Sequence, residues 1–187
     1  MEIGAADRRV RRTQNLLKQH LISLLLSKDL EEITVTELVS LADINRGTFY
    51  LHYRDIRDLY NQIEAGIVED FNIILRRQTH PERGRTLAVM EEALLFLKQN
   101  TDACIAILRT DGVVFLFKML EYGRPKTPKE WQLLLGDGVE IDREYYYAFI
   151  ATGCVGLLRV WLENGMREPP EEVARLAWRI IENCAGR

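Results

Sequence analysis

Apolar positions recur along this chain at spacings of three and four, and no alternating pattern lasts more than a few residues. In "TQNLLKQHLISLLLSKDL", Leu16, Leu17, His20, Leu21, Leu24 and Leu25 fall on one helical face. Thr34 to Glu37 forms a T-x-x-E capping box behind the apolar Ile33, which predicts a helix start. Asp55 caps a longer helix whose buried stripe is Leu59, Ile63, Ile67, Phe71 and Ile74. "RRQTHPERGR" reads as a loop punctuated by Pro81 and Gly84, and further helices fit 87–99, 102–109 and 113–121. Residues 123–142 are the least regular stretch, although Trp131 and Leu133 to Leu135 predict packing onto the body. Two strong helices close the chain. One runs from Arg143 to Glu163 and stops at Asn164-Gly165; the other starts at Pro169-Pro170 with Glu171 and Glu172 in its first turn. The pattern is that of an all-α protein of about nine helices.

One stretch departs from the apolar rhythm. "TVTELVSLADINRGTFYLHYRDIRDLY" reads as a helix over 34–41, the turn Ala42-Asp43-Ile44, and a short helix over 45–53, a helix-turn-helix arrangement. Val35, Leu38, Leu41, Ile44 and Phe49 are the expected inward positions. The outward side of the second helix carries Asn45, Arg46, Thr48, Tyr50 and His52, and Gly47 weakens the helix while allowing close approach to a phosphate backbone. A polar helix of this length fits the major groove of DNA, which would complete its surface. The plainer alternative is a solvated polar helix, and spacing alone does not choose between them.

Composition changes this picture little. The chain is 187 residues, 47% hydrophobic and 28% charged, with a net charge of −3, which excludes a uniformly basic coat but not a local one. Its first 28 residues carry six basic side chains against two acidic ones, a net of +4. Cys104, Cys154 and Cys184 are widely spaced with no CxxC or paired His, so they read as buried apolar residues of a reducing compartment, a thiol sensor or metal site being the alternative; the leading expectation is no metal and no cofactor. The start lacks the apolar core of a signal peptide, and the longest uncharged run, Tyr145 to Leu158, falls short of a membrane span. A cytoplasmic protein is expected, with no membrane partner.

"TVTELVSLADINRGTFYLHYRDIRDLYNQI" closely resembles the DNA-binding domain of the tetracycline-repressor (TetR) family of bacterial transcription regulators. The likeness covers residues 10–63, with "RGTFYLHYRD" its most specific part, and the C-terminal "YYYAFIATGCVGLLRVWLENGMREPPEEVARL" resembles one branch of that family. It implies a DNA-binding domain over 1–56 and a helical ligand-binding and dimerisation domain over 57–187. It further implies that Thr34 and Thr36 hold a phosphate, that Arg46 and Thr48 read base edges, and that Tyr50 and His52 add backbone contacts. Asn45 caps the recognition helix or reaches a base. Arg8, Arg9, Arg11 and Arg12 resemble the family's flexible arm, which enters the minor groove or adds phosphate attraction, a plain solvated tail being the alternative. Two departures stand out: Asp43 occupies a turn position usually held by glycine, and Ile56 replaces a common lysine, leaving Arg54 and Arg57 to supply that phosphate contact.

The last two helices are expected to form a homodimer interface as a four-helix bundle. In the first of them Gly153, Gly156, Leu157, Val160 and Trp161 would meet the partner; in the second, Val173, Leu176, Ala177, Ile180, Ile181 and Cys184. A two-fold dimer would bind a palindromic operator. The resemblance also implies a pocket for a small-molecule effector of unknown identity. Its expected walls are Phe96, Phe115, Met119, Tyr122, Trp131, Tyr146 and Phe149; plain core packing is the competing account of each. The leading expectation is a repressor released from its operator by that effector. The alternatives are a DNA-binding accessory protein without a switch, and an all-helical enzyme. Against an enzyme, His20, His52 and His80 are scattered, and the spacing offers no Ser-His-Asp or Cys-His arrangement.

Overall fold

A computed structural model describes residues 3–76, 83–121, 124 and 143–184. Among these residues the chain forms nine α-helices and no strand. They are α1 (Ile3–Leu25), α2 (Val35–Leu41), α3 (Arg46–Tyr50), α4 (Ile56–Arg76), α5 (Arg83–Gln99), α6 (Thr101–Asp111), α7 (Val113–Glu121), α8 (Arg143–Glu163) and α9 (Pro170–Cys184). A 3₁₀ turn, Leu30–Glu32, joins α1 to α2.

Two compact units emerge. The first holds Met1–Ile67 and Asp102–Asp111, the second Val68–Thr101 and Gly112–Arg187, so α4 contributes to both. In the first unit α2 packs on α1 and on α3. Its core includes Leu17, Leu21, Leu38, Phe49, Leu59 and Tyr60, all buried. Two polar contacts fasten α6 there: Arg109 Nη1 donates to the Leu26 carbonyl at 2.9 Å, and the Tyr60 hydroxyl donates to Asp111 Oδ2 at 2.7 Å. In the second unit α5 packs along α9, α7 along α8, and α8 against α9. The Tyr147 hydroxyl donates to the Leu120 carbonyl at 3.1 Å, and Trp161 Nε1 donates to the Glu168 carbonyl at 3.2 Å.

The helix ends follow local cap chemistry. Thr34 Oγ1 accepts from the Glu37 N–H at 3.1 Å, whereas the Glu37 carboxylate pairs with Lys28, so the threonine half of the expected box does the capping. Helix α2 ends with the Ile44 N–H donating to the Val39 carbonyl at 2.9 Å and the Asp43 N–H to the Ser40 carbonyl at 3.3 Å. That is a Schellman motif, and it requires a left-handed residue at Asp43, where φ is 52°. Helix α8 ends the same way through Gly165, with the Met166 N–H donating to the Trp161 carbonyl at 2.8 Å.

A left-handed Cβ costs ~1–2 kcal/mol in a residue without a local polar side chain. Asp43→Val should therefore lower unfolding free energy by about 1–2 kcal/mol, while Asp43→Gly should hold or slightly raise it. Urea titrations of the three proteins check this.

Four expectations are corrected. The recognition helix spans five residues rather than nine, because the chain leaves α3 through a tight turn in which the His52 and Tyr53 N–H groups both donate to the Phe49 carbonyl. This exit buries Tyr53 with its ring 5.6 Å from that of Phe49. The arginines at 8, 9, 11 and 12 lie within α1, so they decorate a helix surface rather than a flexible arm. Gly84 belongs to α5, and Leu41, expected inward, is exposed.

Candidate nucleic-acid interface

Helix α3 begins on its Asn45 cap. The Asn45 side-chain oxygen accepts from the Gly47 N–H at 2.7 Å, so this oxygen is committed to the helix start. A Cβ on Gly47 would come within 3.2 Å of that oxygen, so the cap itself gives a reason for glycine there. One turn apart on the outer surface, Arg46 Nη2 donates to the Tyr50 hydroxyl at 3.2 Å and the guanidinium carbon sits 5.6 Å from the Tyr50 ring centre. Tyr50 is in turn set edge-on against the buried Phe49 ring, centroids 5.4 Å apart. The core thus orients Tyr50, and Tyr50 orients Arg46.

The other expected contacts spread around this pair. Thr34 and Thr36 are exposed at the start of α2; the Thr34 oxygen serves the cap and leaves its hydroxyl proton to donate. Thr48 and His52 are half-buried, the His52 ring lying 6.2 Å from that of Tyr53. Arg54 is highly exposed, 3.7 Å from Asp58. Arg57 pairs with Glu31 and lies over the Tyr60 ring at 5.9 Å, which leaves Arg54 the more available of the two cations for a phosphate. The Asp58 carboxyl is held below the usual carboxylate range, first by the backbone N–H of Arg54, which donates to it at 2.9 Å, while Asp55 Oδ1 caps α4 by accepting from the Asp58 N–H at 2.8 Å.

In the second unit, α8 is apolar nearly all round, and its outward stripe is exposed. Tyr145 (79% exposed), Phe149 (66%), Thr152, Gly153, Gly156 and Val160 follow one another at helical spacing. Among the described residues a Cβ on Gly153 or Gly156 would meet nothing within 4 Å, so packing among them does not explain these glycines. On α9, Leu176 and Ile180 are exposed beside a recess formed with Glu172, Arg175 and Arg179. Trp161, Val173, Ala177 and Ile181, expected at the same face, are instead buried within their own chain, and Leu157 is half-buried. The Cys184 side chain lies outside the described residues.

Of the expected pocket walls, Phe115 and Met119 are fully buried and Phe96 and Tyr146 half-buried, but Phe149 faces outward and cannot line an interior cavity. Tyr122 and Trp131 lie outside the described residues. Sequence reasoning missed Asn72. It is 0% exposed on α4, and neither of its amide atoms has a hydrogen-bond partner among the described residues. The signal was present as one amide inside the apolar run "FNIIL".

Burial pushes the Cys104 thiol up to about 12 and raises that of Cys154. The folded chain therefore holds the Cys104 proton more tightly than the unfolded chain. Its contribution to stability is full below about 9 and is lost as pH rises through about 12. Native iodoacetamide labelling followed by peptide mass analysis should modify Cys104 no faster than the protein unfolds.

Residues 85–183 match the TetR-type family model described as "Transcriptional regulator C-terminal region". A curated relative, the uncharacterized HTH-type transcriptional regulator YxbF of Bacillus subtilis (strain 168), is 27% identical over 180 residues, which is 90% of this chain. The chain spans 44% of that relative's length. Among solved structures, the TetR transcriptional regulator from Streptococcus agalactiae 2603V aligns over 96% of this chain and 98% of its own, with a TM-score of 0.69 and 20% identity. The fatty acid degradation regulator FadR from Bacillus halodurans aligns over 90% and 94% of the two chains, with a TM-score of 0.62 and 11% identity. The dihydroxyacetone kinase operon activator DhaS also reaches 0.62, over 93% and 96%, at 14% identity. These likenesses establish a shared fold.

Proposed function

Because the chain belongs to the TetR family of DNA-binding transcriptional regulators, we propose that it is a homodimeric repressor, released from a palindromic operator by a small-molecule effector. Residues 1–56 read DNA, and residues 57–187 pair the subunits and take the effector. The observation that carries the reading is the Arg46–Tyr50 pair, exposed on a capped helix and backed by a core aromatic. An Arg held in this way is pre-set for the O6 and N7 of guanine. Thr34, Thr36 and Arg54 supply phosphate contacts around it, with His52 and Arg57 in supporting positions.

The outward stripe of α8 supports pairing. A monomer gains nothing from two exposed aromatic rings beside two glycines, whereas a second copy would bury the rings and use the glycines for close helix approach. By length and composition α8 is also long and apolar enough to cross a membrane. Its buried Trp161, hydrogen-bonded to the Glu168 carbonyl, and its ion-paired Arg159 and Glu163 favour a helix packed in a cytoplasmic dimer. For the effector, Asn72 offers a donor and an acceptor inside an apolar unit, an arrangement that favours a largely apolar ligand with one polar group.

Selection of bound duplexes from a random DNA library, followed by titration of the winner across salt, tests the proposal. A palindromic winner with a steep salt slope is expected. A folded protein that enriches no sequence would overturn it, and binding that no effector in a small-molecule screen weakens would favour an accessory protein without a switch.

A further inference from the structure

Leu51 closes α3 and is 79% exposed. Its N–H donates to the Gly47 carbonyl at 3.2 Å, which places it one helical turn after Gly47 on the same side. Gly47 has no side chain, and a Cβ there would meet only the Asn45 oxygen, so the ground beneath Leu51 is open. The adjacent strip of the same helix carries the Arg46–Tyr50 pair. The exposed end of α3 thus presents a polar hook beside an apolar notch. Thr48, the other residue with a methyl to offer, is half-covered by its own chain.

Resting on the DNA-reading role proposed above, we infer that Leu51, rather than Thr48, senses the C5-methyl of one thymine in each half-site. The major groove offers one apolar base feature, the thymine methyl, and a leucine continuous with a guanine-reading arginine is placed to bury it. Gly47 contributes by leaving the room in which that methyl sits. Specificity would then combine a hydrogen-bonded base read by Arg46 with a neighbouring thymine read by shape.

The test starts from the operator selected above. Each thymine is replaced in turn by deoxyuridine, which removes the methyl and nothing else, and Kd is measured for the wild type, Leu51→Ala, Leu51→Met and Thr48→Ala. The wild type should lose affinity about four-fold at one thymine per half-site, the worth of one buried carbon. Leu51→Ala should be blind to that replacement while keeping the rest of the profile, and Leu51→Met should restore the sensitivity. Leu51 is so exposed that these variants should fold as the wild type does.

A wild type with no sensitive thymine would overturn the inference. So would a Leu51→Ala protein that binds more weakly at every site with an unchanged profile, or loss of the sensitivity in Thr48→Ala instead. These outcomes leave DNA reading intact. Failure to select any operator would instead remove the DNA-reading role and this inference with it.

Discussion

Arg46→Ala is expected to remove ~1–3 kcal/mol of discrimination at one base pair in each half-site, and about twice that over a symmetric operator. The size of the effect follows from how the side chain is held. Its hydrogen bond to the Tyr50 hydroxyl and its position over the Tyr50 ring reduce the rotamer freedom that base recognition would otherwise have to freeze out. Tyr50→Phe keeps the ring and loses the hydroxyl, so its loss should be smaller and should fall on the same base. Fluorescence anisotropy with the operator and with a scrambled duplex, each at several salt concentrations, separates the roles. A base-reading Arg46 loses operator affinity far more than scrambled-duplex affinity. If both fall together, Arg46 is a phosphate contact and the assignment is wrong.

Phe149→Asp should convert the proposed dimer to a monomer. A carboxylate buried without a partner costs about 3–5 kcal/mol, and two-fold symmetry introduces it twice. Dimer dissociation should therefore rise by roughly 10⁴-fold or more. Phe149 is largely exposed in the protomer, so the variant should keep its helical content and lose only its partner. Sedimentation velocity across micromolar concentrations reads the mass, and the same protein should bind a full operator no better than a half-site. A variant that stays dimeric would place the interface elsewhere.

Much of the fold could be read directly from the sequence, because cap chemistry is local. Thr34, Asp55, Asn164-Gly165 and Pro170 each end or begin a helix where the residue types require it. Asp43 shows the same logic at a position where glycine is more usual. The length of α3 was not legible, since it is set by where Phe49 and Tyr53 must pack, a tertiary demand that outweighs helical spacing. Neither was the pairing of Arg57 with Glu31, which lies 26 residues away. The apolar faces of α8 were the hardest to sort. Its periodicity marks almost every side as buried and cannot say which side meets its own chain, so Trp161 and Phe149 exchanged expected places.

The outward glycines of α8 bear on how a cell keeps related regulators apart. If α8 pairs with a second copy as proposed, close approach at Gly153 and Gly156 requires a partner helix that also leaves room at the crossing, which an identical chain does by construction. A cousin carrying leucine or phenylalanine at either place would be turned away by steric clash alone, with no charge code required. Faithful self-pairing, and hence freedom from crosstalk between operators, would then rest on two missing methyl groups.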